Sequence, residues 1–188
     1  SWREDAAGVW VRGGHKLDQH DHQDRGHVNL IWHGRPILIE ADTCAYGHPL
    51  INVDYKSGVG HNVLQLGAQY PADPMHAGKD CPLPGWQQRG AIAPITVQRL
   101  DDKGGDVTVS CQSGYTNLAR WDRRVQWRAD RLAVNDDVAL SDGKTDIILF
   151  RWHLGTTKPV KIIEKENRFE VAWPEAKLTL KADAPILV

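Results

Sequence analysis

The sequence predicts an all-β protein, an antiparallel β-sandwich. Short stretches of alternating apolar and polar residues recur, and each is bounded by Gly, Asp, Asn or Pro. Residues 102–105 and 129–130 form turns short enough for antiparallel hairpins, which favours a sandwich or barrel over βαβ units. Because no stretch carries a capped helical period, we expect a single sandwich domain over residues 1–188.

The strand pattern recurs along the whole chain. The predicted strands are residues 8–12, 26–32, 36–41, 62–66, 92–99, 106–111, 119–127, 131–138, 147–154, 160–164, 168–173 and 177–181. Residues 67–89 differ, because they are rich in Pro, Gly and Asp and have weak periodicity. We predict that they form a long surface loop bordering a site.

Composition excludes several functional classes. The chain has 188 residues with 23 basic and 24 acidic side chains, so its net charge of −1 offers no excess of positive charge for nucleic acid. No run of ~18 apolar residues predicts a membrane span. The three cysteines match no zinc-ribbon spacing. Because the chain does not begin with Met, we expect it to be part of a larger protein.

Histidines are concentrated in the first third of the chain, where all but two of the nine lie. The densest run is His20-x-His22-x-Asp24-x-Gly26. In an extended strand these three polar side chains would share one face, with neighbours about 6.5–7 Å apart. The pattern predicts a row of ligands or catalytic groups, and the alternative is a solvated strand face. We expect His15, His27, His33 and His48 to lie on the surface or in loops.

A metal site needs donors from separate segments, and two more lie downstream of His22. Asp42 follows a predicted apolar strand, and His61 begins another after a Gly-rich turn. If these strands are neighbours, His22, Asp42 and His61 would meet around one divalent ion and leave a position for water. Cys44 lies near this group, and we expect it to be a buried thiol.

The chain resembles the heparinase II/III-like C-terminal domain, most closely over its first third. The matching residues are, in order, Trp2, His20-x-His22-x-Asp24-x-Gly26, Gly34, Asp42, Tyr46-Gly47, Tyr55-Lys56-Ser57, residues 60–64 and Gly67, with Arg123 or Arg124, Asp136 and residues 150–154 as later landmarks. The resemblance implies a polysaccharide lyase acting on uronate-containing glycans such as heparan sulfate or alginate. It also implies a bacterial protein that is periplasmic or secreted, with an N-terminal α/α toroid before the sandwich.

The resemblance assigns roles to particular residues. His22, Asp42 and His61 correspond to the metal ligands, and the implied ion is zinc with a structural role. His20 corresponds to the histidine that faces the substrate. Two departures, His27 in place of a small hydroxyl residue and residues 43–45 in place of Gly-Thr-Gly, bear on substrate identity more than on metal binding.

Uronate lyases perform a β-elimination that needs a base for the C5 proton and an acid for the departing O4. Our catalytic candidates are His20, Tyr46 and Tyr55, and packing is the alternative role for the tyrosines. Arg124 and Trp121 are candidates for binding an anionic polysaccharide substrate, and the alternative is that the arginines of this stretch line the solvent-exposed face of a strand. Because related lyases take their principal tyrosine from the toroid, we expect the isolated chain to be inactive.

Two other interpretations remain open. Gly14 followed by His20-Asp21-His22 resembles the start of a cupin metal motif, although the acidic ligand expected after His22 is missing and Asn62 follows His61. A metal-dependent oxygenase activity of the chain alone would favour the cupin. The third class is a noncatalytic carbohydrate-binding module, which predicts glycan affinity without elimination.

Overall fold

The computed structural model describes residues 6–18, 20–67, 87–88, 90–143, 147–165 and 168–183. Over these ranges the secondary structure consists of β-strands in antiparallel sheets, with short 3-10 and π turns and no α-helix. The all-β, sandwich-like prediction is confirmed. The predicted loop 67–89 lies almost entirely outside the described residues. No helix in the described ranges has the length and apolarity that a membrane crossing needs.

Four sheets make up the fold. The first contains β1, β2 and β3, the second pairs β4 with β9, the third runs in the order β5-β6-β7-β8, and the fourth is β10-β11-β12. The strands are β1 (Gly8–Val11), β2 (Val28–Trp32), β3 (Arg35–Leu38), β4 (Leu64–Leu66), β5 (Ile95–Asp101), β6 (Gly104–Ser110), β7 (Leu118–Arg128), β8 (Arg131–Leu140), β9 (Ile148–Phe150), β10 (Lys161–Lys165), β11 (Arg168–Trp173) and β12 (Ala176–Lys181). Each predicted strand overlaps one of them.

The four-stranded meander contains both predicted hairpins. Asp101 pairs with Gly104 across the first turn, and Arg128 pairs with Arg131 across the second. Gly104 has φ +144, and an added Cβ there would lie 2.0 Å from the carbonyl oxygen of Trp127. Only glycine therefore allows β6 to approach β7 this closely at the turn.

The core has two parts that lie along the meander. The larger one joins β4, β6 and β7 through residues that include Val63, Leu64, Val109, Leu118 and Trp121. The smaller one joins the first sheet to the meander and consists of Val28, Val107 and Val125. Sheets packed face to face over apolar side chains are the arrangement expected of a sandwich.

Trp121 belongs to the larger core part rather than to a binding surface. Its side chain is fully buried, and its indole N–H donates to Asp136 Oδ1 at 2.7 Å. Such a tryptophan stabilises the fold through the large apolar area that it removes from water. Packing is therefore the role that its position supports, in contrast to the substrate contact expected from the sequence.

The segment carrying His20, His22 and Asp24 is a loop and not the predicted strand, because β2 begins only at Val28. His20 has φ +53, which an extended strand does not allow. The buried Arg25 guanidinium fixes the loop by donating to the carbonyl of His22 at 2.5 Å and to Asp21 Oδ2 at 2.7 Å. The three polar side chains therefore do not share a strand face.

Candidate metal centre

His61 is the central residue of the site. It follows the 3-10 turn Gly58–Gly60 and is fully buried. Among the described residues, neither of its ring nitrogens has a hydrogen-bond partner, although Glu40 Oε2 lies 3.1 Å from Nδ1. That separation is an ion-pair distance without hydrogen-bond alignment. Buried polar atoms are almost always satisfied, so the imidazole of His61 is available to a ligand such as a metal ion.

His61, Glu40 and His27 form a group that could hold a metal ion. One ligand atom from each lies within 4.8 Å of the others. Two imidazoles and a carboxylate are donors that zinc and other divalent transition metals accept. The group is assembled from the residues just before β2, just after β3 and just before β4.

His27 is already engaged through both ring nitrogens. Its Nδ1 accepts the backbone N–H of Asn62 at 2.8 Å, so we assign the ring proton to Nε2, which lies 2.8 Å from Asn29 Oδ1. Burial, followed by the proximity of His61, lowers the pKa of His27 to about 4, so the ring is neutral. In this tautomer His27 has no lone pair left for a metal. His27 lies in a loop before β2, as one of the two expected placements has it, but its side chain is buried and not at the surface.

Asn29 links His27 to the carboxylate of the group. Its amide Nδ2 donates to Glu40 Oε1 at 3.3 Å, while its Oδ1 takes the contact from His27. The other carboxylate oxygen, Oε2, faces His61. His27 and Asn29 therefore orient Glu40 in the way that outer hydrogen bonds orient the ligands of metal sites. The Glu40–His61 contact, opposed by burial, lowers the pKa of Glu40 to about 2.

His22 supplies a second available imidazole. Its ring centroid lies 5.3 Å from that of His61. In the part of the chain that the structure describes, its ring nitrogens make no hydrogen bond. Burial, and then the charge of His61, lowers the pKa of His22 to about 4, so it is neutral near pH 7 as a metal ligand must be.

Asp42 is not a member of the group formed by His27, Glu40 and His61. It is exposed, has φ +65, and its Oδ1 accepts the N–H of Thr43 at 2.8 Å. Glu40 is the acid that the structure brings to His61. The sequence contained a signal for Glu40, because alternation places residues 40 and 42 on the same side of an extended segment. Of the predicted ligands His22, Asp42 and His61, the structure brings the two histidines together. The identity of the carboxylate ligand remains a prediction.

Asn62 ties together the segments that carry the group. Its Nδ2 donates to the carbonyls of Val28 and Ile39, at 2.9 and 2.8 Å. Its Oδ1 accepts the backbone N–H of His153 at 2.6 Å. Because its own N–H also holds His27, this one residue fixes the positions of β2, β3 and the segment after β9 around His61.

Arg123 supports the same region from β7. Its buried guanidinium pairs with Asp136, with Nε–Oδ1 at 2.7 Å and Nη2–Oδ2 at 3.0 Å. Its Nη1 donates to the carbonyl of Gly26 at 2.8 Å and to that of Asn62 at 2.6 Å. The guanidinium therefore holds the backbone next to His27 and His61. The sequence resemblance left Arg123 and Arg124 as alternatives, and Arg123 is the one near the site.

Two of the predicted catalytic residues meet on the surface. Tyr46 Oη and His20 Nδ1 are hydrogen-bonded, and both side chains are exposed. Lys56 Nζ lies 4.8 Å from the centre of the Tyr46 ring. The third candidate, Tyr55, ends the π turn Ile51–Tyr55 and packs edge-on against His48, with ring centroids 5.9 Å apart.

Arg124 forms a salt bridge on the solvent-exposed face of β7. It forms a bidentate pair with Asp106, with Nε–Oδ1 at 2.8 Å and Nη2–Oδ2 at 2.6 Å. The hydrogen bond from Arg124 lowers the pKa of Asp106 to about 2, because it outweighs the opposite effect of desolvation. A glycan anion would therefore have to compete with Asp106 for this arginine.

The family described as Heparinase II/III-like, C-terminal matches residues 6–185. The chain belongs to this family. Its match covers almost the whole chain, so the family of polysaccharide lyase domains is favoured over the cupin alternative. It also implies a polysaccharide as the substrate of this heparinase II/III-like domain. A search of curated proteins gives no match to the chain.

Proposed function

We propose that this domain is the sandwich part of a polysaccharide lyase that cleaves uronate-containing glycans by β-elimination. We further propose that it works together with an N-terminal α/α toroid of the same protein, in a bacterial periplasm or outside the cell. Family membership supports the lyase class. The observation that carries the proposal on this chain is the hydrogen bond between the exposed side chains of Tyr46 and His20. His20 lies two residues before His22.

The pair has the chemistry that the elimination requires. In a β-elimination the C5–H and C4–O4 bonds break, a C4–C5 double bond forms, and O4 leaves with a proton. A phenol hydrogen-bonded to an imidazole can act as a base in one step and as an acid in the next. The Lys56 ammonium beside Tyr46 would attract the uronate carboxylate. We propose His20 and Tyr46 as the catalytic contribution of the sandwich, with the remaining groups supplied by the toroid.

We propose zinc as the bound metal, held by His22, His61 and one carboxylate. The orphaned His61 ring and the neutral His22 ring fit this role, and Glu40 is the carboxylate within reach of His61. Asp42, which the family resemblance favours, is the competing carboxylate. A bound zinc ion would offset the negative charge of Glu40. It would also connect three chain segments, which is a structural contribution.

Metal content tests this ligand set. We expect wild-type protein to contain one zinc per chain, and His61→Ala and His22→Ala to lose it. Glu40→Gln should lower zinc affinity markedly while Asp42→Asn retains the ion. His15→Ala, which changes an exposed histidine, is the control. The opposite behaviour of the two carboxylate variants would assign Asp42 as the ligand, and full zinc in His61→Ala would refute the site.

Activity tests the lyase assignment. In the protein that includes the native N-terminal region, His20→Ala and Tyr46→Phe should each reduce formation of unsaturated uronate by about 100-fold or more. Tyr55→Phe tests the third catalytic candidate, and His15→Ala again serves as control. The isolated chain should be inactive. Turnover by the isolated chain at the rate of the whole protein would contradict the expected need for a toroid.

A further inference from the structure

A groove of about 330 Å³ includes the residues at the ends of β2 and β7, and none of His22, His27, Glu40 and His61 is among its lining residues. His27 precedes β2 whereas Trp32 ends it, and Arg123 lies in the middle of β7 whereas Trp127 lies near its end. Strands from the first, third and fourth sheets line it. Its lining residues include Trp32, Trp127 and Trp173, the basic residues Arg128, Arg131 and Lys177, and the acidic residues Asp130 and Glu175.

Aromatic rings give the groove flat apolar surfaces. Trp32 and Trp127 are partly exposed, and Trp173 is buried. The Trp127 ring lies directly on Gly105, where an added Cβ would come within 2.1 Å of Cζ2. The ring therefore packs closely against β6. A tryptophan face favours ligands that are flat, apolar on one side and polar at the edge, and a pyranose ring has this character.

Basic residues outnumber acidic residues in the groove lining by three to two. Over the described ranges, the side chains of Arg128, Arg131 and Lys177 make no hydrogen bond or ion pair, while Glu175 is held by Lys158 at 2.7 Å. Arg128 and Arg131 are direct partners across the β7–β8 hairpin. Like charges facing each other across strands are destabilising unless an anion offsets them. Arginines at paired strand positions can together bind a carboxylate or a sulfate.

Two polar atoms of the groove residues lack partners. The indole Nε1 of Trp173 and Oε2 of Glu175 are both buried and, within the described residues, make no hydrogen bond. One is a donor and the other an acceptor. Because a sugar hydroxyl both donates and accepts, hydroxyl groups entering between these side chains would satisfy both atoms. A purely apolar ligand would leave them unsatisfied at a cost in affinity.

We propose that this groove is a second glycan-binding site, which takes an acidic sugar unit and is separate from the metal centre. The sugar ring stacks on Trp127 or Trp32, its carboxylate or sulfate lies between Arg128 and Arg131, and its hydroxyls reach Trp173 and Glu175. Such a site goes beyond the lyase proposal, because it binds glycan whether or not the whole protein cleaves it.

Calorimetric titration of the chain with defined tetrasaccharides tests the site. A heparin-derived or an alginate-derived tetrasaccharide should bind, and cellotetraose should bind at least about tenfold more weakly. The double variant Arg128→Gln/Arg131→Gln should weaken acidic tetrasaccharides by about tenfold or more without disturbing the core. Trp127→Ala should weaken both kinds of tetrasaccharide. Arg120→Gln, on the same strand and paired with Asp137, is the matched control.

His61→Ala separates this proposal from the lyase assignment. Binding in the groove should survive that substitution. Binding that His61→Ala abolishes and the arginine double variant leaves intact would put the glycan at the metal centre and overturn the groove site. A wild-type chain that binds neither acidic tetrasaccharide would also overturn it, as would equal affinity for cellotetraose. None of these outcomes depends on elimination activity.

Discussion

At the scale of single residues, Asn62 is the most constrained position near the metal centre. Both hydrogens of its amide Nδ2 are donated to backbone carbonyls, and its Oδ1 accepts from the backbone of His153. Asn62→Asp would turn the double donor into an acceptor facing two carbonyl oxygens. We expect a loss of at least about 2 kcal/mol in the free energy of unfolding, measured by urea denaturation.

The control for this prediction is Asn135→Asp on β8, where the side chain is exposed. That change should cost less than about 0.5 kcal/mol. If both variants lose the same stability, the hydrogen bonds of Asn62 do not stabilise the fold.

Cysteine reactivity is a second prediction at this scale. Burial raises the pKa of the Cys111 thiol to about 12, whereas Cys44 is partly exposed. A raised pKa keeps Cys111 in the neutral thiol form throughout the neutral range, and the thiolate is the reactive form. We expect iodoacetamide at pH 8 to label Cys44 at least about tenfold faster than Cys111, as followed by peptide mass spectrometry. In denaturant the two rates should converge, and equal rates in the folded protein would contradict the burial of Cys111.

Part of the site could be predicted from residue types, and part could not. His22 and His61 could be predicted because the histidines are concentrated in the first third of the chain. The two residues do lie together in the structure. The burial of His27 and its tautomer depend on Asn62 and Asn29, which approach only through tertiary structure. Trp121 and Arg124 looked like ligand-binding residues, yet only folding reveals that Asp136 and Asp106 occupy their polar groups.

At the scale of elements, alternation predicted the strands because each buries one face of a sheet. The exception is the loop at residues 20–26. There the side-chain amide of Gln87 bonds to both the N–H and the carbonyl of Arg25, at 2.8 and 2.7 Å. Such a side chain satisfies the backbone as a neighbouring strand would. Local sequence cannot show this, because Gln87 is distant along the chain.

Turn chemistry gives a prediction for the β5–β6 hairpin. Gly104→Ala would place a Cβ against the carbonyl of Trp127 at a φ that side chains rarely adopt. We expect a loss of about 2 kcal/mol or more in the free energy of unfolding, measured by urea denaturation. Gly47→Ala, where nothing lies within 4 Å of an added Cβ, should change stability little. Equal effects of the two substitutions would argue against the close approach of β6 and β7.

At the scale of the whole molecule, the sheets differ in how far apart their strands lie in the chain. The meander β5–β8 is built from consecutive strands, whereas Leu64 of β4 pairs with Phe150 of β9. Closing the longer loop costs more entropy before contacts compensate for it. Pulsed hydrogen exchange during refolding should therefore protect the amides of β6 and β7 before those of β4 and β9. Simultaneous protection would indicate a transition state that already contains the long-range pair.

The pairing of β4 with β9 also marks what the sequence could not predict at this scale. Alternation identifies the buried face of a strand without identifying its partner. The hairpins were predictable from short turns, but the packing of the first sheet on the meander through Val28, Val107 and Val125 was not. For the same reason, no pattern in the sequence indicated that Trp32, Trp127 and Trp173 would converge.

The reach of Arg123 into the backbone of Gly26 and Asn62 has a practical consequence for protein engineering. Arg123 donates to the main-chain carbonyls of Gly26 and Asn62. These hydrogen bonds therefore do not depend on which side chains occupy the neighbouring surface. A combinatorial library aimed at new glycan preferences can therefore randomise the exposed residues 47–50 while Tyr46 is kept. The anchoring arginine and its aspartate should stay unchanged in every clone.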